Sequence, residues 1–157
     1  MTGRSGDPGR YILAGDYSIS RIIHGGWQFS TGHRLSAAGS DDALEVLVRA
    51  ADLGVTTFDC ADIYTGVEEL YGQFIRRWKS TSNASPLQIH TKFVPDDSAL
   101  QGVDRSYVQR IVDRSLSRLG LDCLDLVQYY WWRDDVPGME DAARSLGDLQ
   151  AAGKIRH

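Results

Sequence analysis

Two side chains in one short segment of this sequence are spaced to work on a proton together. Asp59 and Tyr64 stand five residues apart in Phe58-Asp59-Cys60-Ala61-Asp62-Ile63-Tyr64, where the apolar run Val55-Thr56-Thr57-Phe58 breaks into a loop. That run is β-branched and aromatic and predicts a buried strand, whereas Gly66-Val67-Glu68-Glu69-Leu70 predicts a loop entering a helix. An acid at a strand's end and a phenol on the loop beyond it can meet at one mouth of a barrel, where catalytic groups sit when parallel strands close up. The pair also fits a plainer role, with Asp59 capping the loop and Tyr64 packing on the next helix. Lys92 adds a third group. It interrupts the strand-like run Leu87-Gln88-Ile89-His90-Thr91-Lys92-Phe93-Val94, and an ammonium is costly in a core unless it is paired, for which Asp59 is the natural partner.

The elements that must position these groups follow an alternation. Tyr11–Ala14 and Tyr17–Ser20, around Gly15-Asp16, predict a hairpin able to plug the bottom of a barrel. A first barrel strand follows at Arg21–Gly25, then a polar loop from Gln28 to Gly39. Ser40-Asp41-Asp42 caps a helix whose Leu44, Leu47, Val48 and Ala51 keep helical spacing, and Gly54 ends it. Strand 55–58 then precedes helix 67–79, strand 87–94 precedes helix 104–119, and strand 123–130 precedes helix 139–152. Strand, loop, helix in repetition is the pattern of a parallel βα sheet. Gly153–His157 reads as the lead-in to a fifth strand. Four βα units make half of a closed eightfold barrel, which takes roughly 250 residues against the 157 here.

Composition narrows the function classes. A net charge of −4 with mixed signs gives no electrostatic case for nucleic acid or a membrane surface. Arg76-Arg77-Trp78-Lys79 ends a predicted helix, where cations complement the dipole, and Glu68 and Glu69 suit the helix's positive end. Arg110, Arg114 and Arg118 recur every fourth residue and read as a solvated helix face. Cys60 and Cys123 form no C-x-x-C pair and no disulfide framework, which makes a reducing cytoplasm the default location, and the four histidines lack metal-ligand spacing. No signal-peptide core and no bilayer-length apolar run occurs.

Read together, Phe58-Asp59 through Glu68-Glu69 and the later Thr91-Lys92-Phe93 follow the pattern F-D-x-A-x-x-Y-G-x-x-E-E with a strand ending T-K-F, which resembles the aldo-keto reductase family. Here the "YG" of that pattern is Tyr64-Thr65-Gly66, with one residue inserted. Ile111–Leu126 is similar to the family's third helix and fourth strand, and Arg21–Ser30 to its first strand and glycine-rich exit, so the resemblance covers about residues 11–157.

The resemblance implies roles. Tyr64 matches the general acid that protonates a carbonyl oxygen while NADPH delivers hydride to the carbon; Lys92 matches the ammonium that stabilises the phenolate, and Asp59 the carboxylate that holds Lys92 charged and aimed. The fourth member of the family's set is a histidine in a pattern like D-L-x-Q-x-H-W. This chain reads Asp125-Leu126-Val127-Gln128-Tyr129-Tyr130-Trp131, so Tyr130 stands in its place. A tyrosine can donate a hydrogen bond to a carbonyl oxygen but cannot titrate as an imidazole does. Tyr129, Tyr130, Trp131 and Trp132 equally form an aromatic wall. Trp27, after Gly25-Gly26, resembles a position lining the substrate and nicotinamide site, with core packing as its plainer role, and Trp131 would flank the same mouth. The family's clamp on the adenosine phosphate comes from its second half, and no G-x-G-x-x-G after a strand substitutes for it here.

The expected architecture is therefore α/β: a flexible leader at 1–10, then at 11–157 the N-terminal half of a TIM-type (β/α)8 barrel with a leading hairpin. Open sheet edges predict self-association or docking to a complementary half. The function implied is an NADPH-dependent oxidoreductase reducing the carbonyl of a small aldehyde or ketone as part of a longer chain, the isolated chain being inactive. The alternative is a catalytically impaired or non-catalytic half-barrel that binds or regulates a partner, which the missing histidine supports.

Overall fold

The computed structural model describes residues 8–31, 40–81 and 84–157. Residues 1–7 of the expected leader and 32–39 of the expected polar loop lie outside the described residues.

Four parallel strands form the sheet in the order β3-β4-β5-β6: β3 (Ile23–Gly25), β4 (Thr57–Asp59), β5 (Gln88–Phe93) and β6 (Leu126–Tyr129). Spatial order follows chain order because each strand returns through a helix: α1 (Ser40–Asp52), α2 (Val67–Lys79) and α3 (Arg105–Leu119) make the crossovers, and α4 (Met139–Ala151) follows β6. This is a partial βα barrel, and the expected alternation holds throughout.

Period-two alternation divides each strand between two faces. Phe58, Ile89 and Phe93 turn outward into the layer of helices, where Leu47, Tyr71, Phe74, Val108, Val112 and Leu119 complete one apolar core. Phe58 packs edge-on to Phe74 at 4.8 Å between ring centroids. The opposite face carries polar groups: Thr57 and Asp59 on β4, Gln88, His90 and Lys92 on β5, and Gln128 on β6.

Helix ends carry local signals. Asp104 caps α3 by accepting from the Tyr107 amide at 2.7 Å, and Gly120 closes it at φ 67, a backbone angle that favours glycine.

The hairpin strands β1 (Arg10–Ala14) and β2 (Tyr17–Ser20) lie against the N-terminal ends of the parallel strands. Ser20 donates its amide to Thr57 Oγ1 at 3.0 Å, and Tyr17 Oη meets His90 Nε2 at 2.8 Å. Arg10 belongs to β1 and not to a leader: its guanidinium reaches the Ser18 carbonyl, Thr56 Oγ1 at 3.0 Å and Gln88 Oε1 at 3.1 Å. The plug closes the bottom and leaves the C-terminal strand ends open.

Strand bounds differ from expectation. The strand expected at 55–58 begins two residues later, at Thr57, and extends to include Asp59; at its start the amides of Thr56 and Thr57 both donate to Ser20 Oγ of the hairpin, at 3.2 and 3.0 Å. Strand 123–130 narrows to Leu126–Tyr129. Short 3-10 turns at Trp27–Phe29 and Asp97–Gly102 had no sequence signal. After α4 the chain returns beside the start of β6, with Leu124 and Ile155 in a parallel bridge, the Leu124 amide on the Lys154 carbonyl at 2.9 Å and the Arg156 amide on the Leu124 carbonyl at 2.8 Å.

Candidate active site

Asp59 ends β4, Lys92 is the penultimate residue of β5, and Gln128 lies directly opposite Lys92 on β6. All three face the inner side at the open ends of the strands. Lys92 Nζ lies 2.5 Å from Asp59 Oδ2 and donates to the Cys60 carbonyl at 2.7 Å. Gln128 Nε2 donates to Asp59 Oδ1 at 2.7 Å, so each carboxylate oxygen has its own donor. The two charged side chains are only 20% and 25% exposed, enough for a solute to reach them and too little for water to screen them fully.

Tyr64 comes to this pair on a tight turn. Its amide donates to the Ala61 carbonyl at 3.0 Å and its carbonyl accepts from Val67 at 3.0 Å, with Gly66 at φ 83 making the entry to α2. The Lys92 ammonium lies 5.3 Å from the centroid of the Tyr64 ring. Thr65 is held by the loop after β3: the Thr31 amide donates to the Thr65 carbonyl at 3.1 Å.

The remaining candidates fall in different places. Tyr130 sits just beyond β6, its amide on the Phe93 carbonyl at 3.1 Å and its half-exposed ring edge-on to Trp132 at 4.9 Å. Trp132 is anchored by Nε1 to the Pro95 carbonyl at 2.6 Å. Trp131 turns the other way, packing on the core, with its ring where a Cβ on Gly138 would meet it at 3.7 Å and Nε1 on the Val136 carbonyl at 3.2 Å; it does not join the mouth. Trp27 is half-exposed in the turn after β3. Gly26 answers a packing constraint: its amide donates to the Asp59 carbonyl at 2.8 Å, and a Cβ there would lie 2.6 Å from Tyr71 Oη and 2.8 Å from Val67 Cγ1. The structure thus brings Asp59, Lys92 and Tyr64 together, sets Tyr130 at the neighbouring strand exit, and leaves Trp131 on the other face.

Sequence reasoning passed over two groups. Gln128 lies within Asp125–Trp131, and its register with Lys92, two residues beyond the Leu126–His90 pair, puts it on the inner face. The second group is an ionic layer beneath the Tyr64 loop. Glu68 is fully buried, accepting from Thr91 Oγ1 at 2.8 Å and from Arg118 Nη1 at 3.2 Å, and Asp62 is buried beside Arg114 Nη2 at 3.2 Å. Arg118 Nε also pairs with Glu69 at 2.9 Å. Arg114 and Arg118 therefore reach inward and are not simply a solvated face. Burial, opposed in part by the Val94 amide and the two arginines, pushes the Asp62 carboxyl up to about 7. Burial likewise pushes the Cys60 thiol up and holds His90 below the ordinary imidazole range.

An ammonium, a phenol and an amide converging on an open mouth can donate hydrogen bonds to a carbonyl oxygen and move one proton to it. Among the described residues no three His, Cys, Asp or Glu side chains converge as a metal requires, and no helix is long and apolar enough to cross a membrane.

Known proteins share this arrangement of elements. The family model described as the aldo/keto reductase family matches residues 21–157. The chain is 33% identical over 133 residues to the aldo-keto reductase yakc of Schizosaccharomyces pombe, whose name carries NADP(+), an alignment covering 80% of this chain and 38% of that protein. It is 28% identical over 148 residues to a 6-dehydroglucose reductase of Novosphingobium aromaticivorans, covering 88% of this chain and 46% of that one. Among solved structures, a Bombyx mori aldo-keto reductase in complex with NADP superposes with a TM-score of 0.73 at 22% identity, over 96% of this chain and 49% of that one. The chain spans about half or less of the length of these relatives.

Proposed function

The chain belongs to the aldo/keto reductase family, and on that premise we propose that it carries the carbonyl-activating residues of an NADPH-dependent oxidoreductase acting on a small aldehyde or ketone. The observation that carries this reading is the Lys92 ammonium, fixed between Asp59 Oδ2 and the Cys60 carbonyl and placed over the Tyr64 ring. Tyr64 gives its proton to the carbonyl oxygen, Lys92 stabilises the phenolate left behind, and Asp59, steadied by Gln128, keeps the ammonium charged and aimed. Tyr130 offers a second hydrogen-bond donor at the strand exit.

The residues present fit the reacting end of a nicotinamide cofactor. NADPH supplies hydride when bound. The inner face offers donors for a carbonyl, and open space lies over Gly25, where a Cβ would meet nothing within 4 Å. Gly26 and Trp27 follow Gly25 in the chain, Gly26 closely packed against Tyr71 and Val67 and Trp27 with a half-exposed indole, and in this reading they flank the cofactor through the backbone and the indole respectively. Trp131, on the other face, would act on the site only through the loop it anchors. In this reading the protein works in the cytoplasm, and the outer edge of β3 is covered by self-association or by a complementary half.

A second reading is a non-catalytic member that binds or regulates a partner. The observation favouring it is Tyr130, which stands where a histidine is expected and whose ring engages Trp132. One experiment separates the two: NADPH consumption, followed by absorbance, with an aromatic aldehyde such as para-nitrobenzaldehyde. The first reading expects turnover in the chain joined to the rest of its barrel, and a Tyr64→Phe loss of about 100-fold or more with NADPH affinity nearly unchanged. A fully active Tyr64→Phe variant would name the wrong acid, and absence of turnover with NADPH bound would favour the second.

A further inference from the structure

Resting on that reading of the site, we propose that Asp62 is the positioning residue that sets Tyr64 against Lys92. Where β4 leaves the sheet, the parallel hydrogen-bond ladder to β5 runs on for two more rungs: the Cys60 amide donates to the His90 carbonyl at 2.8 Å, and the Asp62 amide to the Lys92 carbonyl at 3.2 Å. At the next rung a side chain substitutes for the main chain. The Val94 amide donates to Asp62 Oδ1 at 3.0 Å, while the Asp62 carbonyl turns away to accept from Arg118 Nη1 at 3.1 Å.

This substitution lets the backbone peel off toward Tyr64 without orphaning a buried amide. It also fixes β5 immediately after Lys92, since Asp62 grips the strand at the Lys92 carbonyl and again at the Val94 amide. The distance from Tyr64 to the ammonium is thereby set by a short closed ring of bonds and not by a free loop.

The surroundings explain why a carboxylate serves here. Arg114 takes Asp62 Oδ2 from α3, and Arg118 joins the Asp62 carbonyl to Glu68 and Glu69 at the start of α2. Asp62 is thus the point where β5, α2 and α3 are tied to one turn of loop. On the far side of that turn lies a cleft of about 220 Å³ lined by Asp62, Ile63, Thr65, Val94, Tyr107 and Arg114 among others, into which the loop could settle once released. A residue that only stabilised the fold would leave the Tyr64–Lys92 geometry unchanged in any variant that still folds.

The test reads that geometry directly, by NMR of the full chain carrying isotope-labelled lysine. A lysine methylene held over an aromatic ring is displaced upfield by the ring current, so Lys92 should show a signal that Tyr64→Leu returns to the ordinary position. Asp62→Ala, with the fold checked by circular dichroism, should lose most of that displacement; Asp62→Asn, which keeps an oxygen acceptor for Val94, should retain it. If Tyr64→Leu moves no lysine signal, the pairing behind the site reading fails, and the clamp with it. If Tyr64→Leu moves the signal and Asp62→Ala keeps it, the clamp alone is overturned. Loss in Asp62→Asn as well would overturn the acceptor argument. Should Asp62→Ala not fold, the double variant Asp62→Ala with Arg114→Met removes the stranded cation and takes its place. Failure of both to fold beside a folded Asp62→Asn would reduce Asp62 to a structural residue and overturn the proposal.

Discussion

Gln128, on β6, reaches past the lysine of the intervening strand to donate to Asp59 Oδ1 on β4 at 2.7 Å. The carboxylate is consequently held from both sides, by an amide on one oxygen and by the Lys92 ammonium at 2.5 Å on the other. Removing one member leaves the others stranded in a partly water-excluded place. Asp59→Ala is therefore expected to cost about 1–3 kcal/mol, more than a surface pair, because Lys92 keeps only the Cys60 carbonyl. Gln128→Ala should cost less. Urea melts of both single variants and the double variant give the coupling, and additive costs would mean that Gln128 and Asp59 do not act together.

Gly26 is predicted to resist substitution for steric reasons and not because of a ligand. Its backbone φ of −102 suits any residue, so conformational freedom is not the issue. A methyl there would press on Tyr71 Oη, on Val67 Cγ1 and, at 3.0 Å, on the Asp59 carbonyl. Gly26→Ala should destabilise the chain by about 1–3 kcal/mol, as overpacking does. Neighbouring Gly25, with open space above it, should tolerate alanine far better. Thermal melts of the two variants, side by side, decide it; equal melting points would contradict the packing account.

The arrangement of elements was legible because burial writes periods into the chain. The helix expected at 67–79 is the helix observed, since its apolar stripe and its flanking charges are local. The pairing of Lys92 with Asp59 was legible as well, because an ammonium inside a β-branched run demands a partner. The ionic layer was not. Arg114 and Arg118 differ from solvated arginines only in what lies across the gap from α3, and Glu68 at a helix start looks the same whether it faces water or Thr91. Pairing across a fold leaves no period in a sequence. The direction of Trp131 could have been read: if Gln128 faces inward, alternation sends Tyr130 inward and Trp131 outward.

Tyr130 offers a test of how far the site departs from its relatives. A histidine at the same position would also donate a hydrogen bond to a carbonyl oxygen and would give up the contact with the Trp132 ring, now at 4.9 Å. In the chain joined to the rest of its barrel, Tyr130→His is expected to preserve or raise turnover, with any gain in kcat and not in cofactor affinity. Steady-state kinetics measure both. A collapse of kcat on this change would mean that the phenol of Tyr130 has a role that an imidazole cannot fill.

The buried Asp62 carboxyl should make stability depend on pH in an unusual direction. Its pKa is pushed from 3.8 up to about 7 in the fold, chiefly by burial. Between those values the folded chain keeps the proton that the unfolded chain has released, so this group's contribution is fully present below pH 3.8 and is lost as pH rises through about 7. Most carboxylates in ion pairs behave the opposite way. His90 adds a separate slope, because burial lowers its pKa and its contribution falls away as the pH drops below its ordinary 6.5. A comparison with Asp62→Asn cancels His90, which both chains share. The melting point of the natural chain, taken relative to Asp62→Asn, is expected to fall steadily from pH 3.8 to about 7 and then level. A difference that instead rises with pH would show that Arg114 and Arg118 outweigh the cost of burial and hold Asp62 ionised throughout.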